Sequence, residues 1–144
     1  MKYTAYHGTK EKFENFDNNA CGKNYNDNAS ACGFFFSEDF DDAEFFGPIV
    51  IECEIELNRP LIINDAKMDE YLQKWLSDLE VNDPEQYEFQ MSTKAYANSG
   101  EVNVALELAI VDANRSGNDG VIIETVGDPK WYVVFSANKI EILD

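Results

Sequence analysis

The chain has 144 residues, 44% of them hydrophobic, and a formal net charge of −17 at pH 7. That length suits a single domain, residues 1–144, with a core of its own, and that apolar content excludes a disordered tail. The charge disfavours direct binding to nucleic acid or to a membrane surface. It suits simple solubility, a basic protein partner, or an acidic inhibitor that mimics DNA.

Lys2 to Tyr6 reads as a short strand running into His7-Gly8-Thr9. The N-terminus has no apolar segment resembling a secretory leader, and no apolar run approaches the roughly 20 residues needed to cross a bilayer, so the expected compartment is the cytoplasm. Residues 14–33 are rich in Asn, Asp, Gly and Ser and read as a long surface loop. Phe34-Phe35-Phe36 forms a short apolar strand ending at Ser37, which is expected to cap a helix through Phe46. Gly47-Pro48 stops that helix.

Ile49, Ile51, Cys53, Ile55 and Leu57 alternate with Val50, Glu52, Glu54 and Glu56, the period of a strand with one wet face. Asn58-Arg59-Pro60 breaks it. Met68, Tyr71, Leu72, Trp75, Leu76 and Leu79 recur at helical spacing. Residues 81–100 read as loop, and 101–114 as a helix with its apolar face around Val104, Leu108 and Val111. Strands follow at Val121–Thr125, Trp131–Phe135 and Lys139–Leu143, the first two forming a hairpin. The fold class is α+β with mainly antiparallel pairing.

His7 is the one histidine, and Cys21, Cys32 and Cys53 have no metal-ligand spacing, so no metal is expected. A strand that delivers His-Gly-Thr beside a strand of phenylalanines describes a pocket for a flat carboxamide ring: glycine allows close approach to the backbone, and aromatic faces stack on the ring. A histidine at a strand end above an ordinary aromatic core accounts for the same residues.

The order Tyr6-His7-Gly8-Thr9, then Gly33-Phe34-Phe35-Phe36-Ser37, then a helix with Ala43 and Phe46, resembles the histidine–tyrosine branch of the ADP-ribosyltransferase superfamily. That branch includes diphtheria-type toxins, poly(ADP-ribose) polymerases and small phage and bacterial domains. Asn118-Asp119-Gly120-Val121-Ile122-Ile123 and Tyr132-Val133-Val134-Phe135, with Asn138-Lys139-Ile140, resemble the C-terminal motifs of the small domains. The resemblance implies a split antiparallel β-sandwich with flanking helices, and NAD as substrate.

It further implies that His7 bonds a ribose, that the Gly8 backbone holds the nicotinamide carboxamide, and that Phe35 and Phe46 stack on the nicotinamide ring. Thr9 and Ser37 complete the dinucleotide-contacting set. Phe35 stands where the family usually has tyrosine. Trp131 stands where a glutamate usually precedes Tyr-Val-Val-Phe; Glu124, across the hairpin, is the nearest candidate substitute, and a solvated strand-end charge is the other reading of it. The implied activity is transfer of a single ADP-ribose unit to a macromolecule, the acidic surface favouring a basic protein acceptor. The alternatives are a non-catalytic NAD or ADP-ribose binder on the same fold, and an acidic phage-type interaction protein or DNA mimic.

Overall fold

The computed structural model describes residues 1–10, 16, 33–93 and 99–143, with positions 99–105 and 107 described by their backbone only. The loop expected over 14–33 lies outside the described residues apart from Phe16 and Gly33, as do Cys21, Cys32 and the side chain of Val104.

Among the described residues, seven strands form one mixed sheet: β1 (Lys2–Thr9), β2 (Phe34–Ser37), β3 (Ile49–Glu56), β4 (Pro60–Asn64), β5 (Gly120–Glu124), β6 (Trp131–Val134) and β7 (Ile140–Ile142). Their spatial order is β4-β5-β6-β2-β1-β3-β7. The helices are α1 (Phe40–Ala43), α2 (Asp65–Asn82), α3 (Pro84–Thr93) and α4 (Ser99–Arg115). The class is α+β, and every pairing is antiparallel except β4 with β5.

The ladder is uneven. β1 pairs with β3 over eight positions, from Lys2↔Glu56 to Thr9↔Ile49, but with β2 at one, Tyr6↔Ser37. The sheet is therefore nearly split between β1 and β2, and its two halves fold over a shared core. Ala5, Ile51, Cys53 and Ile55 from one half bury against Phe34, Phe36, Ile122, Tyr132 and Val134 from the other. Tyr3 and Tyr132 stack at 5.1 Å between ring centroids although β2 runs between their strands. A second core lies on the opposite face of the β4–β5–β6 half, where Val121, Ile123 and Val133 pack on Tyr71 of α2 and on Leu106, Ala109, Ile110 and Ala113 of α4. Strand alternation thus assigns each residue of β5 and β6 to one core or the other.

Three expectations change. The helix expected from Ser37 to Phe46 is α1 followed by a 3₁₀ turn at Glu44–Phe46, and its N-cap is Asp39, whose carboxylate accepts from Asp41 N at 3.0 Å. Ser37 acts two residues earlier, its Oγ accepting from Asp39 N at 3.1 Å. The loop expected over 81–100 contains α3, which begins with Pro84 at its first position and with Asp83 accepting from Gln86 N at 3.3 Å, a start that needs no amphipathic pattern. The apolar stripe of α4 is Leu106, Ala109, Ile110 and Ala113, shifted from the face expected around Leu108 and Val111, which are half-buried.

The Asn118-Asp119-Gly120 motif staples the β3–β4 turn to the start of β5. The Asp119 carboxylate accepts from Asn58 N at 2.6 Å and Arg59 N at 3.0 Å, while Asn118 Nδ2 donates to Arg59 O at 2.9 Å. No helix among the described residues is long and apolar enough to cross a membrane.

Candidate functional site

The seam between β1 and β2 concentrates the residues singled out by sequence. Where the backbone ladder fails, a side chain takes over: His7 Nδ1 donates to the carbonyl oxygen of Phe35 at 2.7 Å. A carbonyl only accepts, so the proton sits on Nδ1 and the lone pair on Nε2. Burial lowers the His7 pKa and the bond to Phe35 opposes that shift, so the imidazole is neutral at physiological pH. Its ring lies 5.0 Å from that of Phe16 and 5.3 Å from that of Phe36. Thus Phe36 approaches the imidazole by its ring, and Phe35 by its backbone.

The other face of the seam carries Phe35, Ser37 and Trp131. Ser37 pairs with Trp131 and Phe35 with Val133 across β2–β6, which puts these side chains on one side. Phe35 and Trp131 both border the second core. Phe46 meets Trp131 edge-on, with centroids 5.3 Å apart and planes at 72°. Trp131 is also held at its polar end: the indole Nε1 donates to Asp42 Oδ2 of α1 at 2.7 Å. Sequence reasoning missed Asp42, because a separation of 89 positions between the partners leaves no local pattern.

Gly8 is required by the protein's own backbone. A Cβ there would lie 2.0 Å from the carbonyl oxygen of Ala43, and a Cβ on Gly47 would lie 2.4 Å from the backbone of Thr9. The two glycines let the end of β1 cross the α1 segment at backbone contact distance, which seats Phe46 and Asp42 beside the seam. Thr9 is buried at the end of β1, paired with Ile49. Ser37 is fully buried and engaged with Asp39, so it shapes the turn into α1.

Glu124 is not delivered to this face. Ile123 pairs with Trp131 and Ile122 with Tyr132, so alternation turns Glu124 to the Tyr132 side. There it pairs with Lys130 at 3.6 Å, both side chains well exposed. The Tyr132 hydroxyl, its pKa raised by burial and then by Glu38, Tyr3 and Glu124, reports the same neighbourhood. Ile123, and not its strand neighbour Glu124, is the residue opposite Trp131. Among the described residues no group of three His, Cys, Asp or Glu is placed to hold a metal.

A comparison with curated proteins finds no match. A solved structure described as "Crystal structure of an anti-CRISPR protein" aligns with 17% sequence identity over 99% of this chain and 96% of that chain, at a TM-score of 0.48. The family described as "ADP-Ribosyltransferase in polyvalent proteins" matches residues 2–143, nearly the whole sequence. The chain therefore belongs to the ADP-ribosyltransferase family of polyvalent proteins.

Proposed function

We propose that this protein transfers one ADP-ribose unit from NAD to a protein acceptor and releases nicotinamide. The observation that carries this reading is the His7 seam, in a chain of an ADP-ribosyltransferase family. An imidazole held by its Nδ1–H against a β2 carbonyl, and kept neutral by burial, suits a contact to a ribose hydroxyl. On the opposite face of the seam, half-buried Phe35, Phe46 and Trp131 provide flat apolar surface for the nicotinamide ring. Gly8 holds the carboxamide through its backbone. Thr9 and Ser37 shape the strand ends around the dinucleotide.

The net charge of −17 favours a basic protein as acceptor over a nucleic acid. A second reading, a binder of NAD or ADP-ribose without turnover, is favoured by Trp131 standing where a carboxylate is expected. Incubation with labelled NAD and a lysate separates the two. Transfer gives labelled protein that is absent with His7→Ala; a binder gives NAD-dependent thermal stabilisation of the protein without label.

A further inference from the structure

Loss of nicotinamide from NAD leaves positive charge on the ribose, and an anion must face that charge for the step to be fast in a partly dry site. We infer that Asp42, gripped by the Trp131 indole, is that anion. The inference rests on the NAD-transfer reading above and adds a catalytic residue to it.

Three features of the structure support the assignment. The Trp131 Nε1 to Asp42 Oδ2 bond is 2.7 Å long, the range of a charge-assisted hydrogen bond, and it spans from the first residue of β6 to α1. Among the described residues it is the one hydrogen bond to the Asp42 carboxylate: no donor engages Oδ1, and no cation lies within ion-pair distance. The other carboxylates of this segment differ. Asp39 is used as the α1 cap, Asp41 and Glu44 are exposed, and Glu38 accepts from Lys130 N at 2.9 Å.

The third feature is position. The indole that holds Asp42 also contacts Phe46 edge-on at 5.3 Å and pairs in register with Ser37, two residues from Phe35. The carboxylate is therefore fixed at the border of the aromatic face on which the nicotinamide would stack. Trp131 is then a positioning residue: it carries no charge itself, but orients a carboxylate from a different element.

The step balances simply. The bond from the ribose C1′ to the nicotinamide nitrogen breaks, and its electron pair stays on that nitrogen, which leaves as neutral nicotinamide. The Asp42 carboxylate faces the positive charge shared by C1′ and the ring oxygen. A lone pair of the acceptor forms the new bond to C1′, and the acceptor's proton passes to solvent. Asp42 forms no covalent bond.

The test uses Asp42→Asn, whose amide oxygen still accepts from the indole, so that docking of α1 survives and only the charge is lost. Four quantities are compared with wild type: thermal stability, the calorimetric Kd for NAD, the rate of nicotinamide release, and the Kd for an ADP-ribose analogue whose terminal ribose oxygen is replaced by a protonated nitrogen. The expected result is unchanged stability and an NAD Kd within about twofold, release slowed by about 10²-fold or more, and at least tenfold weaker binding of the cationic analogue. Trp131→Phe should slow release less, and the double variant should be no slower than Asp42→Asn alone, because both act through one carboxylate.

If Asp42→Asn releases nicotinamide and binds the cationic analogue as wild type does, Asp42 merely docks α1 and the inference is overturned while the transfer reading stands. If wild type binds NAD without releasing nicotinamide, transfer fails and the catalytic role of Asp42 with it. If wild type binds neither NAD nor the analogue, the seam is not a dinucleotide site, and both are overturned.

Discussion

Replacing Gly8 with alanine separates two reasons for a glycine at the seam. If the residue is small to admit a ligand, Gly8→Ala folds normally and loses NAD. If it is small to admit the protein's own chain, the variant is destabilised with no ligand present. The structure favours the second. The added Cβ would lie 2.0 Å from the Ala43 carbonyl oxygen, whereas ordinary contact begins at 3.4 Å, so the α1 backbone must retreat by about 1.4 Å. Both sides of this contact are backbone, and neither can rotate away as a side chain does. A cost at or above the upper end for overpacking follows, about 3 kcal/mol. At about 2–4 °C per kcal/mol for a domain of this size, the melting temperature should fall by roughly 6–12 °C. Differential scanning calorimetry of the ligand-free protein measures this, with Gly47→Ala expected to behave similarly and the exposed-site variant Thr4→Ala as control. NAD affinity should fall as well, because Phe46 and Asp42 move with α1. An unaltered melting temperature with abolished NAD binding would refute the steric reasoning and leave Gly8 as a ligand-clearance residue.

Asp119→Ala removes a carboxylate that accepts from two backbone N–H groups, and should cost about 2 kcal/mol in urea unfolding, with Asp119→Asn losing about half of that. Equal stability of all three proteins would mean that solvent replaces the staple. Burial lowers the His7 pKa, so the folded state disfavours the protonated ring: the contribution is fully present above the unfolded value of 6.5 and is lost as pH falls through the lowered folded value. Wild type should therefore lose more stability than His7→Gln on acidification below pH 6.5; parallel curves would place the imidazole in water. Glu124→Gln should change stability by less than about 0.5 kcal/mol and nicotinamide release by less than about twofold, since its ion pair with Lys130 is exposed and on the side of the sheet away from Trp131 and Phe35. A hundredfold slower release would return Glu124 to the site.

What the sequence displayed were features with a short-range signature. The alternation of Ile49 to Leu57 marked β3, the hairpin of β5 and β6 followed from its turn, and the order of His7, Phe34–Ser37 and Phe46 pointed to the seam. β4 escaped because Leu61-Ile62-Ile63 is too short to show a period and is bounded by Pro60, which is tolerated on this edge strand; its parallel pairing with β5 is a tertiary fact. α3 escaped because its apolar residues Tyr87, Phe89 and Met91 fall at spacing two, although Asp83-Pro84-Glu85 is a legible helix start. Asp42 was hidden for a different reason: its partner lies on another element 89 residues away, and Trp131 read locally is only a carboxylate lost.

The central claim, that the β1–β2 seam is an NAD site, is tested most directly by calorimetric titration of NAD into wild type, His7→Ala and Phe35→Tyr. The predicted result is saturable binding at one NAD per chain in wild type, affinity at least tenfold weaker in His7→Ala with the fold intact by circular dichroism, and near-wild-type affinity in Phe35→Tyr, which keeps the stacking face. Absence of saturable binding in wild type, or the same affinity in all three proteins, would contradict it.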